Sequence, residues 1–337
     1  MHSRLRPVGL RPVGLRPGLR PVGVAVLLSL GLVLAGCSSD ATGDAAPAPT
    51  TSPSSTPADP SARASADPSA GAGLGARARA AAKYSSYVAM GDSYTAAPLV
   101  PSTDTGDGCL RSSHNYPALV AAALPSADLV DVSCSGADST SLVGVQQTPS
   151  GPKPPQFDAL SRRTDLVTIG IGGNDSNLFG TLVGTCSQLR DRDPAGSPCR
   201  DRLTGGTGDP IGTALRDIRA HVRAVVAGIR DRAPRATVVV VGYPQIVPAS
   251  GTCPELPLAA GDYAYARRIN KGLADAVRLG ARGADAYVDV FAASAGHDIC
   301  SADPWINGAQ TDPSRALAFH PFAEEQQAVA RLVLQAL

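Results

Sequence analysis

The run Tyr87-Val88-Ala89-Met90-Gly91-Asp92-Ser93-Tyr94 turns from an apolar stretch into a glycine, an acid and a serine. It predicts a buried strand that emerges into a loop, with a serine hydroxyl at the exit. A second apolar run, Leu166-Val167-Thr168-Ile169-Gly170-Ile171, leads into Gly172-Gly173-Asn174-Asp175, and Phe319-His320-Pro321 lies close to the C-terminus. Serine, asparagine and histidine in that order are the parts of an acyl-transfer site.

Working outward, short apolar runs at 87–90, 129–132, 166–171, 237–241 and 286–290 alternate with longer amphipathic stretches. This alternation predicts the α/β class, a sheet of about five parallel strands with helices on both faces. In 211–232 the residues Ile211, Leu215, Ile218, Val222, Val225, Val226 and Ile229 recur at three- and four-residue spacing, one helix face turned to the core. Similar spacing marks 115–123, 263–279 and 323–337. Gly- and Pro-rich stretches near 98–110, 146–156, 186–210 and 244–262 read as loops. Ligands of such sheets bind outside the carboxyl ends of the strands. The segments 91–93, 134–137 and 172–175 each follow one of the first three strands and therefore converge on one edge.

The ends of the chain carry a different message. Residues 1–36 hold five arginines, no acid and a thirteen-residue hydrophobic stretch at 22–34, the pattern of a secretion signal. Thirteen residues fall short of the roughly 20 that span a bilayer. Leu34-Ala35-Gly36-Cys37 resembles the lipobox of bacterial lipoproteins, which implies cleavage before Cys37 and lipidation of its sulfur. Residues 37–83 are almost entirely Ala, Pro, Ser, Thr, Gly and Asp, too polar and too poor in aromatics to order themselves, and are expected to act as a tether. As a coil it would span roughly 35–40 Å. Residues 84–337 are long enough for one full domain.

Without the leader the chain has 25 basic and 29 acidic residues, a formal charge of −4, which argues against nucleic acid as a partner. No cofactor motif appears, and the chemistry requires none. Apart from Cys37 there are six cysteines, at 109, 134, 186, 199, 253 and 300, and six thiols in an exported protein imply three disulfides. Fifteen pairings are possible, and the residues alone do not choose among them. No Cys-x-x-Cys pair suggests a metal site.

With these residues placed, residues 84–337 resemble the SGNH hydrolases, also called the GDSL esterase and lipase family. The likeness is strongest to secreted actinobacterial members, through Cys109-x-Arg111-Ser112, Tyr116-Pro117, Gly242-Tyr243-Pro244 and Gly296-His297-x-x-Cys300 before Trp305. The resemblance implies a three-layer α/β/α sandwich of flavodoxin-like type and the pairs Cys109–Cys134, Cys186–Cys199 and Cys253–Cys300. It also implies that Ser93 is the nucleophile, that His320 is its base, and that the N–H groups of Ser93 and Gly136 and the amide of Asn174 form an oxyanion hole. Many members place an aspartate three residues before the histidine, but here that position is Leu317. The expectation is a serine–histidine dyad in which the Leu317 carbonyl orients His320, with Asp303 or Asp312 as rivals for that role.

The function expected is an exported, lipid-anchored carboxylic ester hydrolase, monomeric, held at the outer face of the cell membrane or released from it. The alternatives are a deacetylase of cell-wall polysaccharides using the same site and, from another class, a lipid-anchored solute-binding protein with two lobes.

Overall fold

The structure is a computed structural model that describes residues 83–206 and 208–337. The leader, Cys37 and the tether lie outside the described residues. In chain order the elements are β1 (Ser86–Gly91), α1 (Tyr116–Ala123), β2 (Asp128–Asp131), the hairpin strands β3 (Gln146–Thr148) and β4 (Gly151–Lys153), and β5 (Leu166–Gly170). There follow α2 (Pro210–Arg232), β6 (Thr237–Val241), α3 (Tyr263–Gly280), β7 (Ala286–Val288) and α4 (Ala323–Ala336), with shorter helical turns between them.

Strands β2, β1, β5, β6 and β7, in that spatial order, form one parallel sheet. Successive side chains of a strand point to opposite faces, so each central strand feeds two cores. Val88, Met90, Val167, Ile169, Val238 and Val240 pack with Ile218 and Val222 of α2 and Ile269 and Leu273 of α3. Tyr87, Ala89, Leu166, Val239 and Val241 pack on the other side with Tyr116 and Val120 of α1 and Val329 and Val333 of α4. The result is a three-layer α/β/α arrangement. Helix ends follow local rules: Asn115 caps α1 by accepting from Ala118 N–H at 3.0 Å, and Asp209 caps α2 by accepting from Gly212 N–H at 2.8 Å. Pro117 and Pro210 sit in the first turns, where a missing N–H costs nothing.

Three local differences from the sequence reading have clear causes. The last strand stops at Val288 because Asp289 accepts from Ala292 N–H at 3.0 Å and starts a helical turn, Val290–Ala293. The stretch read as a loop near 146–156 contains the hairpin β3–β4, whose Gln, Thr, Gly and Pro carry no apolar alternation. The long loop 186–210 includes two short helices, Cys186–Leu189 and Pro198–Thr204. The structure joins Cys109 to Cys134, Cys186 to Cys199 and Cys253 to Cys300. Three disulfides belong to an oxidising, extracytoplasmic compartment. The described residues centre on one sheet rather than the two lobes of a solute-binding protein, and no helix among them is long and apolar enough to cross a membrane.

Candidate active site

Register brings Gly91 of β1 beside Gly170 of β5 at the carboxyl edge of the sheet. Gly91 has φ +146°, and a Cβ there would collide with Thr95 Oγ1 and the Gly170 carbonyl, so the turn requires glycine. The buried amide of Gln156 holds both backbone groups of Gly91: its Oε1 accepts the Gly91 N–H at 2.8 Å and its Nε2 donates to the Gly91 carbonyl at 3.0 Å. Asp92 donates its N–H to Gly170 O at 3.1 Å, and its Oδ1 accepts from Tyr94 N–H at 2.9 Å. Its Oδ2 accepts from the Tyr243 hydroxyl. Ser93 then opens the helical turn Ser93–Ala96, buried except for 7% of its surface. Burial pushes the Asp92 carboxyl up to about 7 against the hydrogen bonds that favour its charged form.

Two further loops come to this edge. Gly136 adopts φ +80°, and the loop around it is fastened by the Cys109–Cys134 disulfide, by Ser135 N–H to Cys109 O at 3.0 Å and by Gln146 Nε2 to Ser135 O at 2.9 Å. Asn174 follows Gly172-Gly173 and donates one amide hydrogen to Ala137 O at 2.8 Å, which leaves the other free to meet a ligand. Asp175 is buried beside it, accepting from Ser139 N–H at 2.8 Å and Ser139 Oγ at 2.7 Å and pairing with His221 at 2.8 Å.

His320 arrives on a loop rather than a strand. Phe319 has φ +61°, a left-handed conformation that its carbonyl helps hold by accepting from the Tyr94 hydroxyl at 2.7 Å. Tyr94 and Phe179 flank the imidazole at centroid distances of 5.5 and 6.3 Å. The ring's Nδ1 bonds the Ala318 carbonyl at 2.8 Å, which corrects the expected Leu317 acceptor. The reason is local. Leu317 O is already taken by the His320 N–H at 3.1 Å and by Asn307 Nδ2 at 3.2 Å, so the ring reaches the next carbonyl instead. A carbonyl accepts only, so the proton sits on Nδ1 and Nε2 is left as an acceptor. Partial burial lowers the imidazole to about 4, opposed by the Ala318 bond. Neither Nε2 nor the Ser93 hydroxyl has a hydrogen-bond partner among the described residues, and the two do not bond each other; sites without substrate are commonly loose in this way.

A narrow apolar cleft opens beside these residues, lined by Tyr94, Leu178, Phe179, Leu182, Tyr243 and Ile246 among others. The GDSL-like Lipase/Acylhydrolase family model matches residues 89–328. Lipase 2 of Streptomyces coelicolor is 36% identical over 292 residues, covering 85% of this chain and 86% of that protein. The chain belongs to the GDSL-like lipase and acylhydrolase family. Two solved structures agree with this placing: extracellular lipase from Streptomyces rimosus (TM-score 0.62, 28% identity, 75% of this chain and 100% of that one) and phospholipase A1 from Streptomyces albidoflavus NA297 (TM-score 0.59, 30% identity, 75% and 98%). This member of the family is a serine ester hydrolase, an esterase or lipase.

The remaining candidates of this GDSL-like chain are occupied elsewhere. Asp312 accepts from the Ser314 N–H at 2.9 Å and hydroxyl at 2.7 Å, and Asp303 lies 3.4 Å from His297. His297 stacks on Trp305 at 4.3 Å, and Arg111 braces its own loop by donating to Ser133 O at 2.8 Å and pairing with Asp107. Sequence reasoning missed Gln156 and Asn307. Gln156 has no local signal, being 65 residues from the glycine it holds; Asn307 donates to the carbonyls of Gln310, Ala316 and Leu317 and so shapes the histidine loop. Tyr243 stood in the Gly-Tyr-Pro motif, but nothing in sequence tied it to Asp92.

Proposed function

We propose that this protein is an exported, lipid-anchored carboxylic ester hydrolase in which Ser93 attacks the acyl carbonyl and His320 takes its proton. The Nε2 atom receives the hydroxyl proton and returns it to the leaving alcohol, and the acyl-enzyme is then hydrolysed by water in the reverse sense. The Ser93 and Gly136 N–H groups and the free amide hydrogen of Asn174 stabilise the tetrahedral oxyanion. The imidazole is oriented by the Ala318 carbonyl without a carboxylate. No metal or other cofactor enters any of these steps.

The observation that carries this reading is the His320 ring itself: Nδ1 committed to a backbone carbonyl, Nε2 free, and the same Tyr94 side chain packed against it and lining an apolar cleft. The apolar lining of that cleft suits the hydrocarbon part of an acyl ester rather than a hydrated glycan, and so a lipase or esterase rather than a polysaccharide deacetylase. Lipidation at Cys37 with residues 37–83 as tether would hold the domain at the outer face of the membrane. Labelling by a fluorophosphonate probe tests the nucleophile: wild type labels, whereas Ser93→Ala does not, and an unlabelled wild type removes Ser93 from this role. A p-nitrophenyl ester series from acetyl to longer chains tests the acyl preference, and a strong preference for acetyl would defeat it. Cys37→Ala is expected to move the protein from the membrane fraction to the medium.

A further inference from the structure

The Tyr243 hydroxyl stands between the two halves of the site. It accepts the Gly173 N–H at 2.8 Å and donates to Asp92 Oδ2, while Asp92 Oδ1 holds the Tyr94 N–H at 2.9 Å. Gly173 immediately precedes Asn174, and Asp92 immediately precedes Ser93. All members of this chain of bonds are buried, Asp92 at 1% and Tyr243 at 3% exposure. Residues 92 and 243 are 151 apart in sequence, and no other side chain among the described residues bonds both the nucleophile turn and the loop before Asn174.

We infer that Tyr243 is a positioning residue that fixes the distance between the Ser93 nucleophile and the Asn174 oxyanion donor, acting through Gly173 on one side and the Asp92 carboxylate on the other. The inference rests on the roles proposed above for Ser93 and Asn174. The direction of the bonds requires Asp92 to be ionised. If Asp92 carries a proton on Oδ2, it donates to Tyr243, the tyrosine hydrogen loses its acceptor, and the link slackens. The titratable groups facing Asp92 are Tyr243 through its hydroxyl, Tyr94, whose N–H bonds it, Tyr116 of α1, and Asp175, whose charge opposes its ionisation.

Tyr243→Phe keeps the ring that lines the cleft and removes only the hydroxyl. On p-nitrophenyl butyrate, kcat is expected to fall tenfold or more, with KM changed less than twofold. In wild type one component of kcat rises with pH through about 7 as Asp92 ionises. In Tyr243→Phe that component moves to higher pH, because a donor that favours the charged form is gone. Asp92→Asn, which cannot ionise, is expected to lose the component altogether. An unchanged kcat and pH profile in Tyr243→Phe, with only a lowered Tm, would make the tyrosine structural and overturn the inference. A wild-type limb retained in Asp92→Asn would do the same. If Ser93→Ala is as active as wild type, the underlying reading falls and takes this inference with it; an active, Ser93-dependent enzyme indifferent to the Tyr243 hydroxyl sinks the inference alone.

Discussion

The Ser93 turn and the His320 loop meet at one site but are held in different ways. Around Gly91, Asp92 and Ser93 the sheet supplies the frame, and buried side chains from far along the chain, Gln156 and Tyr243, complete it. Around His320 there is no strand and no carboxylate. Backbone carbonyls, a left-handed Phe319, the Asn307 side chain and, from the turn after β1, the Tyr94 hydroxyl on Phe319 O define the geometry. A nucleophile must keep its place relative to an oxyanion hole made of two backbone N–H groups and one tethered amide, so rigidity serves it. A base has to lean toward the nucleophile and then toward the leaving group, and a loop with short-range anchors permits that.

The sharpest way to break this contrast is to remove, in parallel, the proposed base and the two aspartates that were rivals for orienting it. His320→Ala is expected to lower kcat/KM by about 10²–10⁴, whereas Asp303→Asn and Asp312→Asn stay within about twofold. A large loss at either aspartate in ester hydrolysis assays would put a carboxylate back into the histidine loop. On the oxyanion side, Asn174→Ala is expected to cost about 10²–10³ in kcat. The Ala318-held imidazole also sets a pH limb. A base works only when neutral, and the folded-state value near 4 means that activity carried by His320 survives well below pH 6 and is lost as pH falls through about 4. An acid limb of kcat/KM near 6.5 that persists in Asp92→Asn, where the Asp92 component is gone, would contradict the half-buried, carboxylate-free ring.

Smaller effects separate the two clamps. Gln156→Leu leaves the Gly91 N–H and carbonyl unpaired in the core, a loss of about 1–3 kcal/mol in urea unfolding, accompanied by lower activity. Asn307→Ala frees the carbonyls of exposed Gln310, half-buried Leu317 and buried Ala316, so kcat is expected to drop about tenfold with a smaller stability loss than in Gln156→Leu, where both freed groups lie in the core. Equal stability losses in the two variants would erase the distinction.

The smallest effect lies on α4, where Glu325 is buried against Gln326 at 2.7 Å and burial pushes its carboxyl up to about 8. Its folded value lies above the unfolded one, so its contribution is present at low pH and lost as pH rises toward 8. Glu325→Gln should therefore stay close to wild type near pH 5 and melt several degrees higher at pH 9 by calorimetry. No gain at pH 9 would mean that the carboxylate is solvated there.

Much of the fold was legible because it rests on periodicity. Val88 and Met90 against Tyr87 and Ala89 declare two buried faces, and the three- and four-residue spacing of 211–232 declares a helix. The candidate serine, asparagine and histidine were legible because each stands within two residues of a glycine or a proline. What stayed hidden depends on side chains that act at a distance. Gln156 carries no pattern in its own stretch, and the exchange of Leu317 for Ala318 as the histidine's acceptor turns on which carbonyl Asn307 had already claimed.

Sequence by itself determined the α/β class and the order of strands and helices, and it singled out the three chemical groups of the proposed acyl-transfer site, because burial and turn chemistry are written in neighbouring residues. Only the tertiary structure decided what holds those groups in place: Gln156 on Gly91, Tyr243 between Asp92 and Gly173, and the Ala318 carbonyl on His320. The first two sets of bonds span 65 to 151 positions and have no local signature, their partners being chosen when the sheet brings the loops together; the third spans two residues, but which carbonyl the ring takes depends on Asn307 bonding Leu317 O.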